Sequence, residues 1–485
     1  MPLYSQLPAE LSAADVIIVG GGTAGCIIAS RLSGADPDLS ILVMERGGDN
    51  YGDPSILPAV HGKGSDDQHG FDGPIHVSAG TYTSPRLDDA FMKAIETVGW
   101  NEIQDLEDLN TNNGAQRALR YISPEGLRQD TAHCYLPHPR LRDGEHPNLH
   151  VIVESEVSKV LFDNNNHANG VVYTHQNSAE LRTVKARKMV IVSSGALGTP
   201  AVLERSGVGD PEVLLRAGIK SVVNLPGVGS GYEDHQVCSS PYKSNLDVQE
   251  TLDGFVNGKF DIPTMIGSND KILGWNGLDV TSSLGPDNAG DPTRAPAGQY
   301  FTASAFNLYP YSRGYVHITG PDLMDTLDFD PGFFADKHDI DIKKCRWAYK
   351  KQREIARRMD VYRGELAAYH PAFPESSGAA CIEVDSPLGA DITDINYTAD
   401  DDDITDQWLR ENIATTWHSL GTCKMLPRED GGVVDTNLGV YEVTGLKIAD
   451  MSIAPRNVGA HTNNTAMVIG EMASEIFIKE LNLGN

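Results

Sequence analysis

The stretch "DVIIVGGGTAGCIIASRL", which begins at Asp15, constrains the fold more than any other part of the chain. A β-branched run, Val16 to Val19, reads as a buried strand. Gly20, Gly22 and Gly25 then follow as G-x-G-x-x-G, and an apolar helix continues from them. Chemistry sets that order: one glycine permits a tight turn, the next lets the backbone approach a pyrophosphate, and the last allows close helix–strand packing. Thr23 and Ala24 open the helix, whose N-terminal N–H groups stabilise the anion. "SILVMERGG" supplies a second strand ending in Glu45, at the distance of about twenty residues where a carboxylate meets the adenosine ribose. A free 2′-hydroxyl is expected there, so the pattern predicts FAD or NAD rather than NADP, and spacing alone does not separate those two.

The chain has 485 residues, enough for two cores and a bound cofactor. Its formal charge of −28 argues against a nucleic-acid partner, since phosphate backbones attract clustered Lys and Arg. The one marked charge run, Asp400 to Asp403, reads as a solvated loop just before the helix "ITDQWLRENIA", where carboxylates also oppose the positive end of the dipole. No apolar run approaches the roughly 20 residues of a membrane span. Cys26, Cys134, Cys238, Cys345, Cys381 and Cys423 never form C-x-x-C, so neither a zinc site nor a redox dithiol is expected, and reduced thiols in an intracellular protein fit best. The N-terminus has no basic segment ahead of its apolar run, which leads straight into the glycine turn and reads as a strand rather than a signal peptide.

Further along, "NLHVIVESEVSKVLFDNNNHANGVVY" predicts a hairpin around an Asn-rich turn. "ARKMVIVSSGALGTPAVLERSGVGD" repeats the grammar of strand, small-residue turn and helix at Ser194 to Pro200, as if the nucleotide domain resumed, although an unrelated turn would read the same way. Near the C-terminus come "TTWHSLGTCKM" and "GLKIADMSIAPRNVGAHTNNTAMVIGEMASEIF", the latter a strand, a Pro-bearing loop with His461 and Asn463, and a long helix. A loop after a strand and ahead of a helix is where α/β folds place ligands. His418 alone reads as a core histidine or as a base; a second histidine in a comparable loop favours the base, because imidazole titrates near neutral pH.

These segments, with "HGFDGPIHVSAGTYT", "NLPGVGSGYEDH", "YPYSRGYVHITGPD" and "AYKKQREIARRMD", resemble the glucose–methanol–choline (GMC) oxidoreductase family, and within it the fungal methanol/alcohol oxidases, over nearly the whole chain. The resemblance implies an α/β Rossmann-like FAD-binding domain joined to an antiparallel-sheet substrate domain. It implies an enzyme that moves a hydride from the CH–OH carbon of a small or aromatic primary alcohol to flavin N5, with oxygen as acceptor. By position His418 matches the family's active-site base and His461 its second active-site residue, with Trp417 as a substrate contact. Methanol oxidases carry Asn where His461 stands, so the pair is more like that of aryl-alcohol and glucose oxidases. The resemblance also puts Asn463 and Thr462 near the flavin, Asp450 near the ribityl–pyrophosphate and Val157 at the adenine.

One departure stands out. Family members follow the ribose acid with a segment that covers the flavin, whereas this chain passes almost directly from Glu45 to "HGFDGPI", bridged by a Gly- and Asp-rich linker over 62–73. Two further shortenings fall between "SPYKSNLDVQETLDGFVNGKFD" and "PAGQYFTASAFNLYPYSRG" and after "AAYHPAFPESSG". A protein that keeps the fold with little redox turnover, as a scaffold, accessory protein or lyase, is the alternative, and a nicotinamide dehydrogenase a more distant one. The expected division is an FAD domain from 12–60, 146–236 and 405–485 and a substrate domain from 70–145 and 237–404, the latter with antiparallel strands such as "GYVHIT" backed by helices such as "IKKCRWAYKKQREIARRM". The chain ends "LNLGN", without a peroxisomal tripeptide, so the cytoplasm is the expected location, and a homo-oligomer is compatible with the resemblance.

Overall fold

The computed structural model describes residues 1–51, 73–78, 82, 84–106, 113–117, 119–123, 128–136, 144–176, 178, 180–251, 253, 258–268, 298–389 and 391–484. All of the 62–73 linker but Gly73, and most of the second shortening, lie outside these residues.

Among the described residues the larger sheet has eight strands and is parallel through its centre. Its path runs β1 (Leu3–Tyr4), β4 (Leu149–Ile152), β3 (Ile41–Met44), β2 (Ala13–Val19), β7 (Arg182–Val192), β6 (Ala168–His175) and β5 (Ser155–Phe162). Ile41 to Met44 and Ile17 to Val19 are almost wholly buried, as β-branched and aliphatic strands covered on both faces should be. The long β7 serves two neighbours: Arg182 to Lys185 pair with β6, and Val190 to Val192 pair in parallel with a strand at Leu446–Ile448. β5 and β6 form the hairpin read from the sequence, around 163–167. β7 lies parallel to β2, Val192 opposite Val19, so the second glycine-bearing turn stands beside the first at the C-terminal ends of the strands.

Helix α1 (Thr23–Ala35) leaves β2 and α2 (Gly195–Arg205) leaves β7, while α3 (Thr462–Glu480) follows the Leu446–Ile448 strand. α1 and α3 run side by side in the same direction: Thr23 bonds Asn463 at their N-termini and Arg31 pairs with Glu471 further along. Gly470 makes that approach, since a Cβ there would stand 3.0 Å from Ile27 Cβ and 3.1 Å from Ala24 Cα.

A second body is built on an antiparallel sheet in which Gln236–Ser244 pairs with Tyr300–Asn307, Tyr362–Glu365 and Ala414–Thr415. The Ile340–Arg358 helix packs on this sheet. "GYVHIT" belongs elsewhere: Gly314–Ile318 pairs with Ser230–Tyr232 and Leu327–Asp330, and its Ile318 packs against Ala201 of α2 and Val213. The buried Glu204 carboxylate of α2 fixes this contact by accepting the Ile318 N–H at 2.8 Å and meeting His317 Nδ1 at 2.7 Å. The expectation that this strand is backed by the Ile340–Arg358 helix is corrected: it is backed by α2. The acidic run is likewise the first turn of the Ala399–Asn412 helix rather than a solvated loop. Thr398 and Asp401 close a capping box there, and Asp402 pairs with Lys350 and with Arg346.

Candidate active site

A cavity of about 780 Å³ opens at the C-terminal ends of β2, β3 and β7. Gly20, Gly22, Thr23, Ala24, Glu45, Val157, Asp450, Thr462 and Trp417 all line it. Gly25 supports the turn from behind, where a Cβ would stand 2.2 Å from the Gly20 carbonyl oxygen. Gly20 has a φ of +106° and a Cβ there would lie 2.4 Å from the Ser193 oxygen, so only glycine lets the two turns approach.

Glu45 holds the turn as well as facing the cavity. Its Oε2 accepts the Gly21 N–H at 2.7 Å and its Oε1 the Gly47 N–H at 2.6 Å, which leaves each oxygen a further lone pair. Asp450 is committed to α2: Oδ2 accepts from Gly195 N at 3.0 Å and Thr199 Oγ1 at 2.6 Å, and Oδ1 accepts from Ser452 N at 2.7 Å. Burial nonetheless raises its carboxyl above the usual range. Asn463 lies inside the first turn of α3 rather than in the loop before it, and its Oδ1 accepts from Thr23 Oγ1 at 3.4 Å. The sequence did not single out Arg205, which is buried, lines the far end near Val157, and has an Nε without a hydrogen-bond partner among the described residues.

The histidine loops adjoin this cavity through Trp417, Ser419 and Thr462. Gln236 and Val237 pair with Thr415 and Ala414, and Glu233 pairs with Leu420, so 416–419 bulges out opposite Asp234 and His235. His418 stands in that bulge. Trp417 before it has a φ of +57°, a left-handed conformation unusual for an aromatic residue, and its side chain is 72% exposed. Two bonds hold the turn: Trp417 N–H donates to Thr415 Oγ1 at 2.8 Å and His418 N–H to Asp234 Oδ1 at 3.1 Å. Asp234 also accepts from Tyr232 at 3.0 Å, from Thr416 at 3.2 Å and from Thr415.

His418 and His461 meet, Nε2 to Nδ1, at 3.2 Å. On its other side His418 Nδ1 lies 2.8 Å from His235 Nδ1 and 2.9 Å from Thr416 Oγ1. His235 Nε2 in turn reaches the Val458 carbonyl at 2.9 Å, in the loop that leads to His461. Burial first, then the neighbouring His235 and His461, hold the His418 imidazole down to about 4, against an opposing pull from Asp234. Burial also lowers His235. The nitrogens face one another in a row rather than converging, and among the described residues no group of His, Cys, Asp or Glu is arranged to hold a metal ion.

Glu233, Asp234 and His235, each at most 2% exposed, thus organise both histidine loops. Glu233 accepts from Lys424 at 2.7 Å and from Asn457 N at 3.3 Å, Asp234 latches the 415–418 turn, and His235 touches His418 and the Val458 loop. In the sequence they are simply "EDH" after a glycine-rich turn. Their only signal is that three ionisable residues stand together at the mouth of a strand, which is unusual for side chains this deeply buried.

Among the described residues, no helix is long and apolar enough to cross a membrane. Two family models described as GMC oxidoreductase match residues 51–237 and 310–470. The alcohol oxidase of Candida boidinii is 32% identical over 96% of this chain and 95% of its own length, and alcohol oxidase 1 of Komagataella phaffii is 31% identical over the same shares. The first of these alignments spans 636 positions, more than the 485 residues of this chain, so that relative carries internal residues this chain lacks. Among solved structures, an FAD-dependent oxidoreductase from Chaetomium thermophilum superimposes with a TM-score of 0.73 at 21% identity, covering 97% of this chain and 100% of that one, which speaks to the fold. Glycine turn, paired histidines and the matches over both halves lead to one assignment: this chain belongs to the GMC oxidoreductase family.

Proposed function

We propose that the protein is an FAD-dependent oxidoreductase that oxidises a small or aromatic primary alcohol to the aldehyde, with oxygen as the electron acceptor. The meeting of His418 Nε2 with His461 Nδ1 at 3.2 Å beside the cavity carries this reading. We assign the cofactor half to 12–60, 146–236 and 405–485 and the substrate half to 70–145 and 237–404.

The residues present suit FAD. The close-packed glycine turn and the N-terminus of α1 suit a pyrophosphate, Glu45 retains lone pairs for a ribose diol, and Arg205 and Val157 border the adenosine end. When bound, FAD supplies the hydride acceptor and passes the two electrons on to oxygen, giving peroxide. The chain's own task is the proton and the geometry. His418, neutral well below pH 7, takes the hydroxyl proton at Nε2. His461 holds the developing alkoxide by hydrogen bonding, so that the carbon releases its hydride as the carbonyl forms. Trp417 provides an exposed aromatic wall for the substrate.

The visible absorbance spectrum tests this, before and after anaerobic addition of simple and aromatic alcohols. The expected result is a flavin band that one of them bleaches, together with a His418→Ala protein that keeps the band and does not bleach. Bleaching at an undiminished rate in that variant refutes the role of His418. The exposure of Trp417 and His461 favours a second reading, a fold with little turnover, because a wet site weakens alkoxide stabilisation. A colourless protein that cannot take up FAD would favour it.

A further inference from the structure

The buried His235 sits between the two histidine loops and fixes which nitrogen of His418 carries the proton. A carbonyl oxygen only accepts hydrogen bonds, so the 2.9 Å contact with Val458 O requires a proton on His235 Nε2. A neutral His235 then has a bare Nδ1, which can only accept. Its 2.8 Å neighbour is His418 Nδ1, which must therefore be the donor. Thr416 agrees with this arrangement: its hydroxyl is placed to donate to Asp234 Oδ1 at 3.2 Å or the His235 carbonyl at 3.1 Å, leaving its oxygen to accept from His418 Nδ1 at 2.9 Å. With Nδ1 protonated, His418 Nε2 holds a lone pair, directed to where His461 Nδ1 lies at 3.2 Å.

We propose that His235 is a positioning residue that holds the His418 proton on Nδ1, so that Nε2, on the side of His461, keeps the lone pair that takes the hydroxyl proton once the alcohol displaces the His461 contact, and that it also ties the Val458 loop in place to present His461. This rests on the reading of His418 as the base. The groups facing His418 are Asp234 and His235 from one segment and His461 from the other loop. A cationic His235 would reverse the row, putting the proton of His418 on Nε2 and removing its basicity toward an alcohol. Burial of His235 disfavours that state. Without a directing partner, neutral histidine in water leans to the Nε2–H form, so an imposed Nδ1–H form is a measurable signature of the arrangement.

The test is ¹⁵N NMR of the purified protein with labelled histidine rings, the His418 signals being assigned by their loss in His418→Ala. Nδ1 should show the shift of a protonated nitrogen and Nε2 that of a bare one, a result that requires no turnover and no variant at His235. His235→Asn, whose Oδ1 stands where Nδ1 was, should keep that pattern. His235→Leu should lose it, with a tenfold or greater fall in the rate of flavin reduction by alcohol, little change in KM, and recovery in His235→Asn. A wild-type His418 protonated on Nε2, or an Nδ1–H pattern surviving in His235→Leu, overturns the proposal. If the NMR pattern is found while His418→Ala still reduces flavin, the base assignment fails and the positioning role stands.

Discussion

Replacing Asp234 separates the latch on the histidine turn from the chemistry it serves. The carboxylate receives hydrogen bonds from the His418 N–H and Thr416 on Oδ1 and from Tyr232 and Thr415 on Oδ2. In Asp234→Asn the amide oxygen should take the Oδ1 position, since a backbone N–H cannot reverse, and the NH2 group the Oδ2 position. Both hydroxyls there can turn to accept, and Tyr232 retains Ser419 Oγ at 2.9 Å. Charge-assisted bonds of about 1.5–3 kcal/mol thus become neutral ones of about 0.5–1.5, partly offset by no longer burying a charge, for a net cost of about 1–2 kcal/mol. Asp234→Ala leaves the His418 N–H unpaired, at about 1–3 kcal/mol, and frees Trp417 from a left-handed conformation that persists only while its surroundings hold it. The Tyr232, Thr415 and Thr416 hydroxyls lose the same acceptor, so the cost of Asp234→Ala should be about 3–4 kcal/mol. The assay is chemical unfolding of the three proteins, followed by flavin reduction by alcohol. Because Asp234 is the group that pulls the His418 pKa upward, the Asn protein should lose less stability than the Ala protein yet carry a weaker base and react more slowly than wild type. An Ala protein with wild-type stability, or one with wild-type reduction rate, would refute the latch.

Two further outcomes are expected. Gly25→Ala places a methyl carbon 2.2 Å from the Gly20 oxygen, a backbone atom rather than the end of a flexible side chain, so the turn must open. A destabilisation of about 1–3 kcal/mol and at least a tenfold weaker FAD titration should follow, and unchanged FAD affinity would sink the close-approach argument. For pH, His418 is a base only when neutral, and its pKa is held down to about 4. Flavin reduction should therefore stay level from about pH 8 down through the ordinary imidazole range near 6.5 and fall only below about pH 5. An acid limb centred near 6.5 in stopped-flow data would contradict the burial and the His235 and His461 neighbours that depress it.

The nucleotide half is legible in sequence because its chemistry is local. Strand, glycines, helix start and Glu45 lie within one βαβ unit, and each has a steric or electrostatic reason to hold its position. His418 and His461 are legible as a candidate pair from two comparable loops, and their roles come from the family resemblance, but the 3.2 Å contact that joins them is not encoded in either loop. His235 was not readable at all as a partner: the ladder that sets Gln236 opposite Thr415 brings it to His418, and no periodicity encodes that pairing. The left-handed φ of Trp417 is hidden for the same reason, since Thr415 and Asp234 impose it rather than any preference of the residue itself. "GYVHIT" is legible as an antiparallel strand, but its place on α2 depends on Glu204, a buried acid whose partners come from a distant stretch.

The same geometry bears on what the shortened segments cost. Among the described residues, the groups that hold the histidine pair come from Tyr232 to His235, from Thr415 to Leu420, and from Asn457 and Val458 before His461. Within the stretch between Glu45 and "HGFDGPI", which the resemblance reads as shortened, the described residues Arg46 to Tyr51 contribute none of these bonds. Among the described residues the position of the proton and the orientation of His418 are therefore set by these segments alone, whereas a shortened cover would bear on the exclusion of water from the pair. If the shortening removes the cover, it should appear as slow hydride transfer and weak FAD retention, with the tautomer of His418 intact. A protein whose flavin binds tightly but whose His418 carries its proton on the wrong nitrogen would invert that order, and would place the defect in the Glu233–His235 segment instead.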